Sequence, residues 1–225
     1  AESYDLSEDG KTYTFHLRDA KWSNGDAVTA ADFVFGWHRA VDPATASEYS
    51  YMLSDIGQIV NAAEIIAGEK PVTDLGVSAV DDKTLEVQLN VPVSYFLSLM
   101  YFPTFYPVNE AFYNSCADTF GTSPDTVLSN GAFKLTDYQP AATAFTLEKN
   151  PDYYDADKIA LDSLAYQVIK DSQQALMSYQ TGALDMTLLN GEHVDQVKDD
   201  PEFTSVGAGY LWYLSPNMAG VPELA

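Results

Sequence analysis

Residues 15–39 read Phe15-His-Leu-Arg-Asp-Ala-Lys-Trp-Ser-Asn-Gly-Asp-Ala-Val-Thr-Ala-Ala-Asp-Phe-Val-Phe-Gly-Trp-His-Arg39. The hydrophobic period changes inside this stretch. Tyr13-Thr-Phe-His-Leu17 alternates apolar and polar residues, as a half-buried strand does. Ser23-Asn-Gly-Asp26 then reads as a turn in which Asn-Gly supplies a positive φ. Thr29 starts a helix, and Asp32 three residues on completes a capping box with Asp in place of the usual Glu. Phe33, Val34, Trp37 and Val41 share one face of that helix and form its buried stripe. Pro43 limits its C-terminal end. Upstream, Ser7-Glu-Asp-Gly10 reads as a turn that makes the strand the second arm of a hairpin.

The same alternation of strand, turn and capped helix continues along the chain. Asn61 is expected to cap a short helix through Ile65 and Ile66, with Gly68 as its left-handed terminator. Leu85, Val87 and Leu89 alternate as a strand. Ser94 is a candidate cap for a short helix carrying Phe96, Leu97 and Met100. The Gly121-Thr-Ser-Pro-Asp125 cluster is of the loop type, and a domain boundary is placed near Thr126. Beyond it, Ala132–Leu135 and Ala144–Glu148 pair as a hairpin, and Leu164, Tyr166 and Val168 form a strand. Asp171 or Ser172 caps a helix bearing Ala175, Leu176 and Tyr179, closed by Gly182. Leu184–Leu188 reads as a strand, His193–Lys198 as a helix and Tyr210–Leu214 as a late strand. The fold class is α/β, mixed α+β, in two parts, 1–126 and 127–225. The chain begins within a few residues of a hairpin and stops just after a strand, so a piece of a longer chain is expected.

Composition removes several function classes. With 11 basic and 33 acidic residues the net charge is −22, which repels phosphate backbones and makes nucleic acid an unsuitable partner. Anionic lipid is disfavoured for the same reason. The most apolar window, Val91–Val108, is interrupted by Pro92, Pro103 and Pro107, so no stretch reads as a membrane span. No signal peptide is visible at the start. Cys116, the one cysteine, has no partner for a disulfide and reads as an inert thiol.

Catalytic patterns are missing. There is no Gly-x-Ser-x-Gly elbow and no helix with paired zinc-binding histidines. His16, His38 and His193 are far apart in sequence and read as surface histidines. Gly207-Ala-Gly209 lacks the third glycine of a dinucleotide loop. Asp152, Asp155 and Asp157 are spaced as in a calcium loop, but its glycine and final glutamate are absent. The expectation is no catalytic residue, no metal and no cofactor.

The stretch 15–39 resembles the signature region of peptide-type solute-binding proteins of ABC importers. Ser129-Asn-Gly-Ala-Phe-Lys-Leu135, with Leu147-Glu-Lys-Asn-Pro-Asp-Tyr-Tyr154, is similar to a second family segment, with Tyr154 where Trp is often found. Tyr179-Gln-Thr-Gly-Ala-Leu-Asp185 is similar to a third. Ile65–Pro71 through Asp74–Val77 resembles the oligopeptide-binding branch. The resemblance implies a partial type II periplasmic-binding-protein-like fold, with residues 1–126 as the family's extra domain and 127–225 as a truncated first lobe. It implies a binding protein rather than an enzyme, one that captures oligopeptides outside the cytoplasm and delivers them to an ABC permease. The expected state is a monomer, lipid-anchored at the outer face of the cell membrane or periplasmic. Such carriers grip the peptide backbone and leave side chains in wet pockets.

By the same resemblance, Tyr213 aligns with a strand lining the cleft. Ser215 stands where an acidic residue is frequent. Asn190 matches an Asn-containing loop at the cleft, and Leu188 replaces a Tyr there. Tyr49 matches a Tyr on the extra domain that reaches ligand. Each Tyr reads equally well as a packing residue. Another solute on the same scaffold (an oligosaccharide or a signalling peptide) is the alternative, and a surface glycosidase or adhesin is a more distant one.

Overall fold

The structure, a computed structural model, describes residues 1–207 and residue 214. The chain divides into two compact units, Ala1–Val168 and Ile169–Ala225.

The first unit contains two antiparallel sheets. Strands β1 (Ser3–Leu6), β2 (Thr12–His16), β3 (Val77–Asp81) and β4 (Thr84–Gln88) form the first, in the order β1-β2-β4-β3. The β1–β2 turn is closed by Ser7, whose hydroxyl donates to Asp9 Oδ1 at 2.6 Å and accepts from the Thr12 amide at 2.9 Å. Phe15 faces Leu85 and Tyr13 faces Val87 across the β2–β4 ladder. All four are buried on one face, which is why period-two alternation is so clear in both strands.

Helix α1 (Ala30–Val41) covers that core. Its start is held by Asp32, a buried carboxylate. Asp32 Oδ2 accepts from the Thr29 amide at 2.8 Å and from Trp22 Nε1 at 3.1 Å. A carboxylate tolerates burial only with such partners, and the short Asp side chain serves both donors from the third helical position. Asp32→Ala leaves two N–H groups unpaired and is expected to cost about 2–3 kcal/mol of stability. Asp32→Asn should cost less, since an amide oxygen still accepts. Urea midpoints measure both, and an alanine variant as stable as the parent would refute this account.

Trp37 and Val41 are fully buried, while Phe33 and Val34 flank them half-buried. Gly36 is required by close approach: a Cβ there would lie 2.9 Å from the Tyr106 carbonyl oxygen. The segment 103–108 crosses the helix at this point, and the Val108 amide donates to the Asp32 carbonyl at 3.0 Å.

Short elements complete this half: a π-helical turn Met52–Ile56, α2 (Ala62–Ile66), α3 (Phe96–Leu99) and α4 (Glu110–Cys116). Two caps differ from expectation. Asn61 precedes α2 with φ 64° and makes no side-chain cap. Its amide nitrogen instead donates to the Asp74 carbonyl at 2.6 Å, and its oxygen accepts from Lys70. The position before α3 is Tyr95, not Ser94. Packing of the buried Phe96 sets that helix start, not a hydroxyl.

The second sheet joins β5 (Phe133–Asp137), β6 (Ala144–Lys149) and β7 (Ser163–Gln167) in that order. Phe145 of β6 stacks on Tyr166 of β7 with centroids 4.7 Å apart.

The second unit carries α5 (Ser172–Gln180) and α6 (Gly191–Val197). Asp171, not Ser172, caps α5, its carboxylate accepting from the Gln174 amide at 2.7 Å. Gly182, with φ 76°, ends it. Residues 184–188 form no strand. Their alternation has no partner to pair with among the described residues, and Met186 and Leu188 are exposed. His193 is buried, against the surface placement expected of it. Its Nε2 lies 2.9 Å from Ser172 Oγ, so the ring ties α6 to the start of α5. The expected strand 210–214 falls largely outside the described residues. Among the described residues, no helix is long and apolar enough to cross a membrane.

Candidate functional site

The first two motifs that carry the family resemblance bond to one another. Asn150, almost completely buried, donates from its side chain to the Gly131 carbonyl at 2.9 Å, and its amide donates to the Ala132 carbonyl at 2.8 Å. This locks the two halves of the second motif together. The Ser23 amide donates to the Ser129 carbonyl at 2.7 Å, and the Ser129 amide donates to Ser23 Oγ at 3.2 Å, joining the first motif to the second. Arg18 lies 4.0 Å from the Tyr154 ring centroid. A Tyr can face a guanidinium as Trp does, though less strongly. In the third motif, the Tyr179 hydroxyl donates to Glu202. That bond raises its pKa above the ordinary phenol value. These motif residues hold the fold.

The candidate ligand residues lie elsewhere. Tyr49, in the first unit, is 48% exposed. Its ring sits 5.1 Å from Phe102 and 6.1 Å from Tyr51, centroid to centroid. Phe102 is packed against the core and anchors the cluster, while Tyr51 is exposed. Tyr49 therefore stands on the rim of the core and not within it. Sequence reading missed Tyr51 and Phe102 as its companions. The only available signal was Tyr51 two residues on, since Phe102 arrives from a distant segment.

Leu188 and Asn190 belong to the second unit. Leu188 is almost fully exposed, on a segment outside any helix or strand. Asn190 precedes α6 without a side-chain cap, so its amide is available for other partners. Tyr213 and Ser215 lie outside the described residues.

The described residues line hollows in each unit. One in the first unit, of about 430 Å³, is lined by Phe15, Leu17, Phe33, Trp37, Met100 and Arg18 among others. One in the second unit, of about 440 Å³, is lined by Tyr179, Gln180, Leu184, Asp185, Asp200 and Glu202. No group of three metal-ligating side chains occurs among the described residues. At the Ser172–His193 pair, Glu192 Oε1 lies 3.6 Å from Nε2, the nitrogen that faces the serine, and 3.4 Å from Ser172 Oγ. Among the described residues, Nδ1 has the Gln196 amide at 3.4 Å and no carboxylate to orient the imidazole as in a catalytic triad. Burial lowers the pKa of His38, with Glu110 opposing, so its neutral form is favoured.

The model of bacterial extracellular solute-binding proteins, family 5, middle region, matches residues 1–223. The chain belongs to this family. Among its relatives is the periplasmic oligopeptide-binding protein OppA of Escherichia coli, 43% identical over 188 residues, which cover 83% of this chain and 34% of that protein. The probable deoxycholate-binding periplasmic protein YgiS of the same organism is 39% identical over 199 residues, covering 88% of this chain and 37% of that protein. The structure of Listeria monocytogenes OppA bound to peptide superposes with a TM-score of 0.84 at 43% identity, covering 90% of this chain and 39% of that one. The mixed α/β reading and the partial type II periplasmic-binding-protein-like fold are borne out. This family 5 chain spans between a third and two fifths of the length of these relatives.

Proposed function

We propose that the protein is the substrate-binding component of an ABC peptide importer, capturing oligopeptides outside the cytoplasm and delivering them to a permease. The 43% identity to the E. coli oligopeptide-binding protein across 83% of the chain carries this reading. The exposed Tyr49, Leu188 and Asn190 are consistent with it: they are available to a ligand and not spent on packing. With Tyr213 and Ser215 they are the proposed ligand-facing set. Residues 1–126 are proposed as the extra domain and 127–225 as part of the first lobe. The protein acts as a monomer, lipid-anchored or free in a periplasm, and catalyses nothing.

A second reading is a carrier of another solute on the same scaffold, favoured by the similarity to a probable deoxycholate-binding protein. Titration calorimetry on the product of the complete open reading frame separates the two. Mixed oligopeptides should bind with micromolar or tighter affinity, while deoxycholate and oligosaccharides should give no heat. Binding of a non-peptide alone would replace the peptide reading, and glycan hydrolysis would replace both.

A further inference from the structure

Asparagine followed by glycine is open to ring closure between the side-chain amide and the next backbone nitrogen. Glycine puts no Cβ in the path of attack and leaves the backbone free to turn. The chain holds this pair at 24–25, 130–131 and 190–191. Their surroundings differ.

Asn24 and Gly25 are fixed in a turn. Asn24 Nδ2 donates to Asp26 Oδ2 at 2.6 Å, its Oδ1 accepts from the Asp26 amide at 3.1 Å, and the Gly25 amide donates to the Trp22 carbonyl at 2.8 Å. At the second pair, the Gly131 amide donates to Ser129 Oγ at 3.3 Å, and the Gly131 carbonyl accepts from the buried Asn150 at 2.9 Å. Ser129 is itself bonded to Ser23. An amide nitrogen that donates a hydrogen bond must give it up before it can act as a nucleophile.

Neither restraint operates at the third pair. Asn190 is exposed, at the end of residues 186–190, which form neither helix nor strand. Its side chain makes no cap for α6. Among the described residues, the Asn190 side chain and the Gly191 amide have no hydrogen-bond partner. The space around Gly191 is open, since a Cβ there would meet nothing within 4 Å.

We infer that Asn190–Gly191 is a site of spontaneous deamidation, the fastest of these pairs in the folded protein. The Gly191 nitrogen, its proton lost to solvent base, attacks Asn190 Cγ. The N–Cγ bond forms, the Cγ–Nδ2 bond breaks, and ammonia leaves with a proton from water. Water then opens the cyclic imide. Cleavage at Cγ gives aspartate, and cleavage at the main-chain carbonyl gives isoaspartate. The sum is amide plus water to carboxylate plus ammonium, with nothing oxidised or reduced. The Asn190 carbonyl accepts from the His193 amide at 3.0 Å in the first turn of α6. In the isoaspartyl product that carbonyl becomes a free carboxylate, and the main chain runs through Cγ. The first turn of α6 is then loosened, and a negative charge is added beside Glu192.

The test holds the folded product of the complete open reading frame at mildly alkaline pH and digests it with trypsin at intervals. Asn24, Asn130 and Asn190 fall in different tryptic peptides, and mass spectrometry follows each amide-to-acid conversion. Asn190 should convert about ten-fold faster than Asn24 or Asn130. In guanidinium chloride that difference should vanish, because the bonds that protect the other pairs are gone. Gly191→Ala, which the open space admits, should slow Asn190 to the pace of the other two. Its α6 amides should also exchange with solvent more slowly than those of the aged parent. Conversion of Asn24 or Asn130 as fast as Asn190 in the folded protein sinks the assignment. A difference that persists in guanidinium chloride traces it to sequence alone and sinks it equally. Unchanged exchange in α6 after conversion to isoaspartate would refute the loosening of its first turn.

Discussion

Trp37→Ala lowers the unfolding free energy by about 3–5 kcal/mol. Trp37 is fully buried, its ring meets Phe105 edge-on with centroids 5.4 Å apart, and its Nε1 donates to the Phe105 carbonyl at 2.9 Å. Truncation therefore opens a ring-sized void and strands a buried carbonyl at once. The void is not easily closed. Helix α1 is pinned at its start by Asp32 and pressed at Gly36 against the Tyr106 backbone, so it cannot slide inward. Trp37→Phe separates the two effects: it keeps most of the ring volume and loses the hydrogen bond, at about 1–3 kcal/mol. Urea unfolding, with amide exchange in α1 and β4 to assign the loss, measures both. An alanine variant within about 1 kcal/mol of the parent would show that the site collapses and that the helix is less firmly held than described.

The same stretch explains why so much of the fold was legible. Alternation in β2 and β4 is a direct image of one buried sheet face. The Thr29–Asp32 box is a local device whose chemistry is visible in four residues. Local readings failed where long-range contacts decide. Leu184, Met186 and Leu188 alternate like a strand, yet no pairing partner for them stands among the described residues. Asn61 has a capping residue's chemistry but spends its side chain on Asp74 and Lys70. His193 carries no sequence mark of burial, because the hydroxyl that receives it lies on another helix. The candidate site was less legible than the fold for a related reason. The motifs that reveal the family, around Trp22–Gly25, Ser129–Leu135 and Asn150–Tyr154, interlock with each other through backbone and amide bonds. They identify the scaffold through the bonds that hold it together. Tyr49 could be placed only by resemblance, and its partners Tyr51 and Phe102 only by tertiary packing.

Residues 1–225 expressed alone are expected to bind oligopeptide at least about 100-fold more weakly than the complete product, a difference of about 2.7 kcal/mol. A small-ligand site buries most of its guest, and a carrier that grips a peptide backbone draws its strength from excluding water on all sides. Here the proposed contacts are open. Leu188 is 88% exposed and Tyr49 is 48% exposed. A peptide laid on such surfaces still pays its ordering entropy while its amides keep exchanging bonds with solvent. The chain spans between a third and two fifths of its relatives' length, which leaves the greater part of a matching enclosure to other residues. Calorimetry of both proteins with the same pentapeptide decides the point, with circular dichroism to show that the shorter chain is folded. Submicromolar binding by residues 1–225 would mean that an open face suffices for affinity and that enclosure of the peptide is not needed for it.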